Sequence, residues 1–308
     1  MRVAILVLSV DEAHRLEASL PPAVAQAPVT VVDNASTDAT RDVALRHGAR
    51  VLSLPRRLSY AAAMNRGIAA LGQPDAVLLL NADCVLDDGF LAAALPRLAE
   101  PGAGAVAPLV LRAAGLRPAD RLDVVDAAGM TIDRRRKNAL VGHGDPLGQH
   151  ATPGEVFGAD GACALYRREV LAALGPEVLD EDMELWATDA DLAWRARAAG
   201  WRCAYEPRAR AWHVRFYSPT NRPRLPAAHR RLQFRNRLLM ILKNERARSL
   251  AHDLPHLALY ELAALGYALL FERELLGGYV EAARLASSAW AKRSSSSAAI
   301  AFSPRKNA

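Results

Sequence analysis

The sequence predicts an α/β protein, a mostly parallel, doubly wound sheet covered by helices. Apolar runs of strand length alternate with helix-like segments through the first hundred residues, and this βαβα rhythm suits parallel strands joined by crossover helices. The first run, Val3 to Val10, is continuously apolar and rich in β-branched types, as expected of a strand buried on both faces. The composition agrees: 308 residues, 51% hydrophobic and 23% charged, suit a folded chain with a sizeable core rather than a disordered one.

The elements follow in order. Asp11 to Ala25 reads as helix, with Leu16 and Leu20 four apart. Val29 to Val32 is a second strand, closed by the polar turn Asp33-Asn34-Ala35-Ser36. Ser36 or Thr37 can cap a helix that runs through His47. Arg50 to Leu54 is a third strand, Tyr60 to Leu71 a helix, and Ala76 to Leu80 a fourth strand ending in Asn81-Ala82-Asp83. Phe90 to Ala99 is another helix. Residues 112–153 read as irregular, and the cluster Arg134-Arg135-Arg136-Lys137 within them as a solvated loop or a contact to phosphate or lipid headgroup. Asp189 opens a helix that Gly200 ends. Arg202 to Tyr205 and Ala209 to Val214 read as two late strands, the second containing His213.

Cys84, Cys163 and Cys203 are far apart and odd in number, which excludes a disulfide scaffold or a four-cysteine zinc site and suits buried, reduced thiols. The N-terminal apolar run stops at Asp11-Glu12 without a small-residue cleavage site, so it reads as a strand and not a signal peptide. No stretch of about 20 apolar residues exists, so no spanning helix is expected. The net charge of +6 is polarised: residues 1–206 sum to −6 and residues 207–308 to +12. The second part is therefore expected to face something anionic: a membrane, nucleic acid or a phosphorylated substrate.

In doubly wound sheets ligands sit at the carboxyl ends of the strands. Asp33 follows the second strand there, and Asn81 and Asp83 follow the fourth. Any one of them alone suits a turn or cap; together they point to a site. Neither G-x-G-x-x-G nor G-x-x-x-x-G-K-[ST] is present, which argues against a dinucleotide dehydrogenase and a P-loop enzyme. A diphosphate bound without a glycine-rich cradle calls for a divalent cation held by carboxylates.

Six segments carry a resemblance to a known family: Val31 to Asp38; Ala61 to Ile68 with Asn65-Arg66-Gly67; Leu78 to Asp83; Gly158 to Arg168; Asp189-Ala190-Asp191-Leu192 with Arg195; and Ala211-Trp212-His213. In this order, over about residues 1–245, they resemble a family 2 glycosyltransferase of the GT-A fold, in its rhamnosyltransferase-like branch. The resemblance implies a donor side of Asp33, at the base or ribose, Asn34 beside it, Arg57, Asn65 and Asn81. It implies Asp83 as metal ligand within a DxD-type motif, His213 as a further ligand, and Asp189 as catalytic base. Acceptor-side candidates are Gly158, Asp160, Gly161, Trp186, Asp191 and Arg195. The chain departs from the family at Leu58-Ser59-Tyr60, where a glycine-rich start is usual, at Val10-Asp11-Glu12, where Tyr-Asn-Glu is common, and at Thr188, where relatives usually carry Glu before the aspartate.

The implied chemistry is inverting transfer from a nucleotide-sugar donor, with dTDP-rhamnose the first candidate, to a glycan or lipid-linked acceptor. Mg²⁺ or Mn²⁺ stabilises the leaving diphosphate as a Lewis acid, and one carboxylate deprotonates the acceptor hydroxyl. The metal takes the place of a general acid, so a glycosidase-like carboxylate pair is unnecessary. Two alternatives stand beside this reading. One is a non-catalytic nucleotide-sugar-binding or scaffold protein, suggested by Thr188. The other is a sugar-phosphate nucleotidyltransferase, which would want a G-x-G-x-R loop after the first strand.

The expected organisation is a catalytic domain over 1–228, its nucleotide-binding half reaching about residue 110 and its acceptor half covering 111–228. C-terminal amphipathic helices follow over 229–293, and a disordered tail over 294–308. His229 to Asn244 is a basic amphipathic helix, Leu257 to Phe271 is apolar nearly all round, and Leu275 to Trp290 is again amphipathic. They either pack on the catalytic domain or a twin subunit, or lie in a membrane interface; basic charge beside apolar helices favours the second. The implied location is cytoplasmic, peripheral on the inner face of the cell membrane, with no nucleic-acid partner.

Overall fold

A computed structural model describes residues 1–217 and 224–293. The chain begins β1 (Val3–Ser9), α1 (Ala13–Val24), β2 (Val29–Asp33), α2 (Thr40–Arg46), β3 (Arg50–Ser53), α3 (Tyr60–Ala70), β4 (Ala76–Asn81), β5 (Cys84–Leu86) and α4 (Phe90–Leu98). It continues with β6 (Ala103–Ala113), β7 (Arg121–Ala127), β8 (Met130–Ile132), β9 (Asn138–Leu140), β10 (Gly154–Val156), β11 (Cys163–Arg167), α5 (Arg168–Ala173), α6 (Thr188–Ala198) and β12 (Arg202–His213). Four helices end it: α7 (Ala227–Asn244), α8 (Ala247–Leu270), α9 (Leu276–Arg284) and α10 (Ala286–Ala291).

The main sheet has the order β10-β12-β6-β11-β4-β1-β2-β3, with β5 added to β12 and β7 to β6. β3, β2, β1 and β4 are mutually parallel, and β6 and β12 form a second parallel pair. Only the antiparallel β11 joins the two blocks, so the mostly parallel α/β class expected from the sequence stands. Alternation along β1 feeds two helix layers. Ile5 and Val7 face Leu16, Leu20, Val43 and Phe90, whereas Leu6 faces Met64 and Ile68 of α3. Gly67 lets α3 lie flat on the sheet, because a Cβ there would stand 2.6 Å from Val32 Cγ2.

Four local expectations are corrected. Residues 112–153 are not irregular: they hold β7, which adds to the preceding strand β6, and β8 and β9, which pair with each other in a short hairpin. The two expected late strands are one, β12 (Arg202–His213); a register shift after Glu206, beside Pro207, interrupts its pairing with β6. Ser36 and Thr37 do not cap α2, which starts at Thr40. Ser36 Oγ instead accepts from the Asp11 N–H at 3.1 Å, and Thr37 donates to the Asp11 carboxylate, so this turn ties the β2 end to the β1 end. Arg134 to Lys137 is neither a solvated loop nor a phosphate contact. Arg136 is fully buried and pairs with Glu245 at 2.5 Å and Asp253 at 2.7 Å, and Arg134 pairs with Asp253 at 2.6 Å, so the turn clamps α8.

The C-terminal helices share a core with the catalytic part. Leu239, Met240, Ala282 and Ala289 pack with Ala190, Ala193 and Trp194 of α6. The cations of α7 turn inward: Arg235 pairs with Glu184, Arg237 with Glu261, and Lys243 with Asp180 and Asp191. The basic face expected for a membrane is thus spent on protein. Among the described residues, exposed leucines gather instead on α8, at Leu254, Leu259, Leu262, Leu265, Leu269 and Leu270. No helix among the described residues is long and apolar enough to cross a membrane. The expected tail over 294–308 lies outside the described residues.

Candidate active site

The carboxyl ends of β1, β2 and β4 lie side by side, Ser9 opposite Asp33 and Leu8 opposite Asn81. Asp83 follows β4 in the turn to β5, and β5 pairs antiparallel with β12 so that His213 stands opposite Cys84. This register sets His213 Nε2 3.2 Å from Asp83 Oδ1. The other ring nitrogen, Nδ1, lies 2.8 Å from Oδ2 of Asp126, a wholly buried carboxylate on β7. Arg215 Nε donates to both Asp126 oxygens at 2.8 Å, and its Nη2 donates to Asp160. On the opposite side, Arg15 of α1 reaches Glu12 at 2.5 Å and Asp83 Oδ2 at 3.2 Å.

These charges set one another. Burial alone would push the His213 imidazole down, but hydrogen bonds to Asp126 and Asp83 outweigh it and hold it up at about 10. Burial would raise Asp83 and Asp126, yet contacts with His213, together with Arg15 for Asp83 and Arg215 for Asp126, keep both below the usual carboxylate range.

Ligand atoms of Asp126, Asp160 and His213 lie within 4.8 Å of one another, a set suited to a divalent ion, but the Arg215 guanidinium already spans both carboxylates. The Asp83–His213 pair would fit an ion better, once Nε2 gives up the proton that it holds against Asp83. An octahedral ion with bonds of about 2.1 Å places adjacent ligands about 3 Å apart, close to the 3.2 Å found. A carboxylate oxygen beside an imidazole nitrogen is a donor set that Mn²⁺ and its neighbours accept. Asp126 on Nδ1 would then fix the ring so that Nε2 faces the ion.

Asp189 sits at the start of α6, after two residues of positive φ, Glu184 (64°) and Ala187 (62°), the second of them left-handed. Its Oδ2 accepts from the Gly161 N–H at 3.1 Å and its Oδ1 from the Ala190 N–H at 2.8 Å. Burial, and then the charge of Asp160, raise its carboxyl to about 6 against those two hydrogen bonds. A base poised near neutrality matches proton abstraction from a hydroxyl. Thr188, where the family resemblance leads to the expectation of Glu, is buried and donates to Leu185 O at 3.2 Å. It closes the turn, and backbone N–H groups orient the aspartate.

The other expected residues divide into two groups. Asp33 is buried at the end of β2; its Oδ1 accepts from the Ser36 N–H at 2.9 Å. Asn81 ends β4, and its N–H donates to Ala162 O at 2.9 Å. Arg57 pairs with Asp11 at 2.6 Å beside the β1 end, and a hydrogen bond from the Thr37 N–H, then Arg57, lower Asp11 to about 2. Trp186 meets Tyr217 and His229 edge-on, with ring centroids 6.4 and 5.9 Å apart. Asn34, Asn65, Gly158, Asp191 and Arg195, by contrast, are committed to the scaffold. The Asn34 amide exchanges hydrogen bonds with Leu58 at 3.0 and 2.8 Å, and the Asn65 amide does so with Leu179 at 2.8 and 2.9 Å. Asp191 takes Arg195, Lys243 and Asn244, each at 2.8 Å, in a buried network. Gly158 lies against α6, where a Cβ would stand 2.4 Å from that of Ala193. Sequence reasoning missed Glu12, Arg15, Asp126 and Arg215 as site residues. Asp126 stood in a stretch without periodicity; Arg215 lay two residues beyond His213 and was the easiest of the four to find.

Comparison with known proteins gives the family and the fold. The family described as Glycosyl transferase family 2 matches residues 5–175. The chain is 32% identical over 242 residues to N-acetylglucosaminyl-diphospho-decaprenol L-rhamnosyltransferase of Mycobacterium tuberculosis, covering 70% of this chain and 75% of that one. It is similar to the crystal structure of S. aureus TarS 1–349 in complex with UDP-GlcNAc, with a TM-score of 0.59, 15% identity, and coverage of 94% of this chain and 81% of that one. It is also similar to GalNAc-T7 with UDP, GalNAc and Mn²⁺, with a TM-score of 0.60, 13% identity, and coverage of 78% of this chain and 47% of that one. At such identities the two structures speak for the fold, and they agree with the GT-A architecture expected from the sequence.

Proposed function

The chain belongs to glycosyl transferase family 2, and from that premise we propose that it is an inverting, metal-dependent enzyme of nucleotide-sugar chemistry. One observation carries the reading: Asp189, a carboxylate raised to about 6, shares Asp160 with the Arg215–Asp126–His213 cluster, so a base and a cation site are built from one network. Asp83 and His213 would hold the Mg²⁺ or Mn²⁺. That ion, when bound, supplies the positive charge that stabilises a leaving diphosphate. Asp126 keeps His213 oriented. Asp33 and Asn81, with Arg57 at the rim, would receive the nucleotide, and Asp160, Gly161 and Trp186 would line the acceptor side. Asp189 would take the proton of the acceptor hydroxyl as it attacks, and a single displacement inverts the anomeric centre.

The M. tuberculosis relative supports rhamnose as the sugar and a lipid-linked diphospho-sugar as the acceptor. Such an acceptor lies at a membrane surface. The exposed leucines of α8 suit shallow insertion there, a reading in which Leu259→Glu with Leu262→Glu lowers flotation with anionic vesicles. Unchanged flotation would remove α8 from that role and leave packing against a second copy of the chain. The decisive experiment is a panel of nucleotide sugars with Mg²⁺ or Mn²⁺, scored by release of nucleoside diphosphate. Release that is lost in Asp83→Ala supports the enzyme; donor binding without turnover for every acceptor tried would favour a binding scaffold.

A further inference from the structure

Arg15 has no part in the chemistry described so far, yet it touches the centre of the cation site. Its Nη1 lies 3.2 Å from Asp83 Oδ2 and 2.5 Å from Glu12 Oε1, and its guanidinium carbon stands 5.1 Å from the centre of the Phe216 ring. The three polar side chains are largely withdrawn from water, with exposures of 19% for Arg15, 24% for Glu12 and 13% for Asp83. His213 meets only Oδ1 of Asp83, so Glu12 and Asp83 Oδ2, this close and this dry, need a counter-ion of their own. We propose that Arg15 is that counter-ion while the site holds no metal, that the incoming cation displaces it from Asp83, and that Arg15 thereby sets the metal affinity. The inference rests on the metal-dependent reading above.

The geometry makes the exchange easy. Asp83 gives Oδ1 to His213 and Oδ2 to Arg15, so both of its oxygens are engaged before any metal arrives. A divalent ion on Asp83 would face the full guanidinium charge at contact distance, where repulsion is severe. Arg15 need not leave the site, however. It can give up Asp83 and keep both Glu12, its shorter contact, and the face of Phe216. Only one of its three interactions is broken.

The test is the dissociation constant of Mn²⁺ for the whole chain, read by calorimetry or by the electron paramagnetic resonance signal of the free ion. Arg15→Gln removes the charge and keeps a polar side chain; the expected result is Mn²⁺ binding about tenfold tighter or better. Arg41→Gln removes the same charge from an exposed position on α2 and is expected to leave the constant unchanged. Should Arg15→Gln lose its cooperative melt, Arg15→Lys is measured instead. Its shorter side chain cannot bridge both carboxylates in the same way, and intermediate tightening is expected. Equal or weaker binding in a folded Arg15 variant overturns the inference alone. Absence of saturable Mn²⁺ binding in wild type and variants overturns the metal-dependent reading with it.

Discussion

Replacing Asp189 by Asn should abolish transfer and, at neutral pH, make the protein more stable. The carboxyl rises from 3.8 to about 6 on folding, chiefly through burial and then through Asp160. At about 1.4 kcal/mol per pH unit this bias costs the folded state about 3 kcal/mol once the group is ionised. The sign follows from the titration. Below pH 3.8 the folded and unfolded chains both hold the proton, and there is no penalty. Between 3.8 and about 6 the unfolded chain ionises while the folded one stays protonated, so stability falls. Above about 6 the full penalty is present. Asn never ionises, but its single carboxamide oxygen cannot satisfy the Gly161 and Ala190 N–H groups as two carboxylate oxygens do, a loss of about 1 kcal/mol. The net expectation is a gain of about 2 kcal/mol at pH 7.5 and a loss of about 1 kcal/mol at the acid end of the window. Urea unfolding of both proteins at the two pH values measures it. No gain at pH 7.5, or the same difference at both, would refute the claim that a buried charge is stored at Asp189. Full transfer by the variant would remove Asp189 as the base.

Three further outcomes are expected. The acid limb of kcat/KM should fall near pH 6 in the wild type, and Asp160→Asn should move it lower by removing a like charge and releasing Arg215; an unmoved limb would mean that another group titrates. Gly158→Ala should destabilise by about 1–3 kcal/mol, because its Cβ would stand 2.4 Å from that of Ala193. A melt unchanged from wild type would show that α6 yields freely. Arg136→Met should strand Glu245 as a buried charge and leave Asp253 to Arg134, cost about 3–5 kcal/mol, and expose α8 to protease before the rest of the chain. Cleavage that starts elsewhere would deny Arg136 its role as the clamp.

Much of the frame was legible because it is written locally. Val3 to Val10, Val29 to Val32 and Ala76 to Leu80 are short apolar runs whose periodicity owes nothing to distant residues, and each forms the strand expected. The strand ends were therefore legible too, and with them Asp33, Asn81 and Asp83. β7, β8 and β9 escaped because strands of seven and three residues are specified by their partners and not by their own pattern. Asp126, the carboxylate behind His213, was hidden for the same reason. Asn34 and Asn65 stood inside motifs, but an amide in a motif reads alike whether it binds a ligand or exchanges hydrogen bonds with Leu58 or Leu179.

The sequence alone determined the α/β class, the family resemblance, the metal and base candidates, and the polarity of charge along the chain. The tertiary structure decided what each charge is for. The +12 of residues 207–308 looks in sequence like a face awaiting an anion, yet Arg235, Arg237 and Lys243 spend theirs on Glu184, Glu261, Asp180 and Asp191. Periodicity fixes which residues share a face of a helix. Which way that face turns depends on carboxylates about 20 to 65 residues away in the chain, and only folding brings them within reach, because an ion pair is set by distance in space.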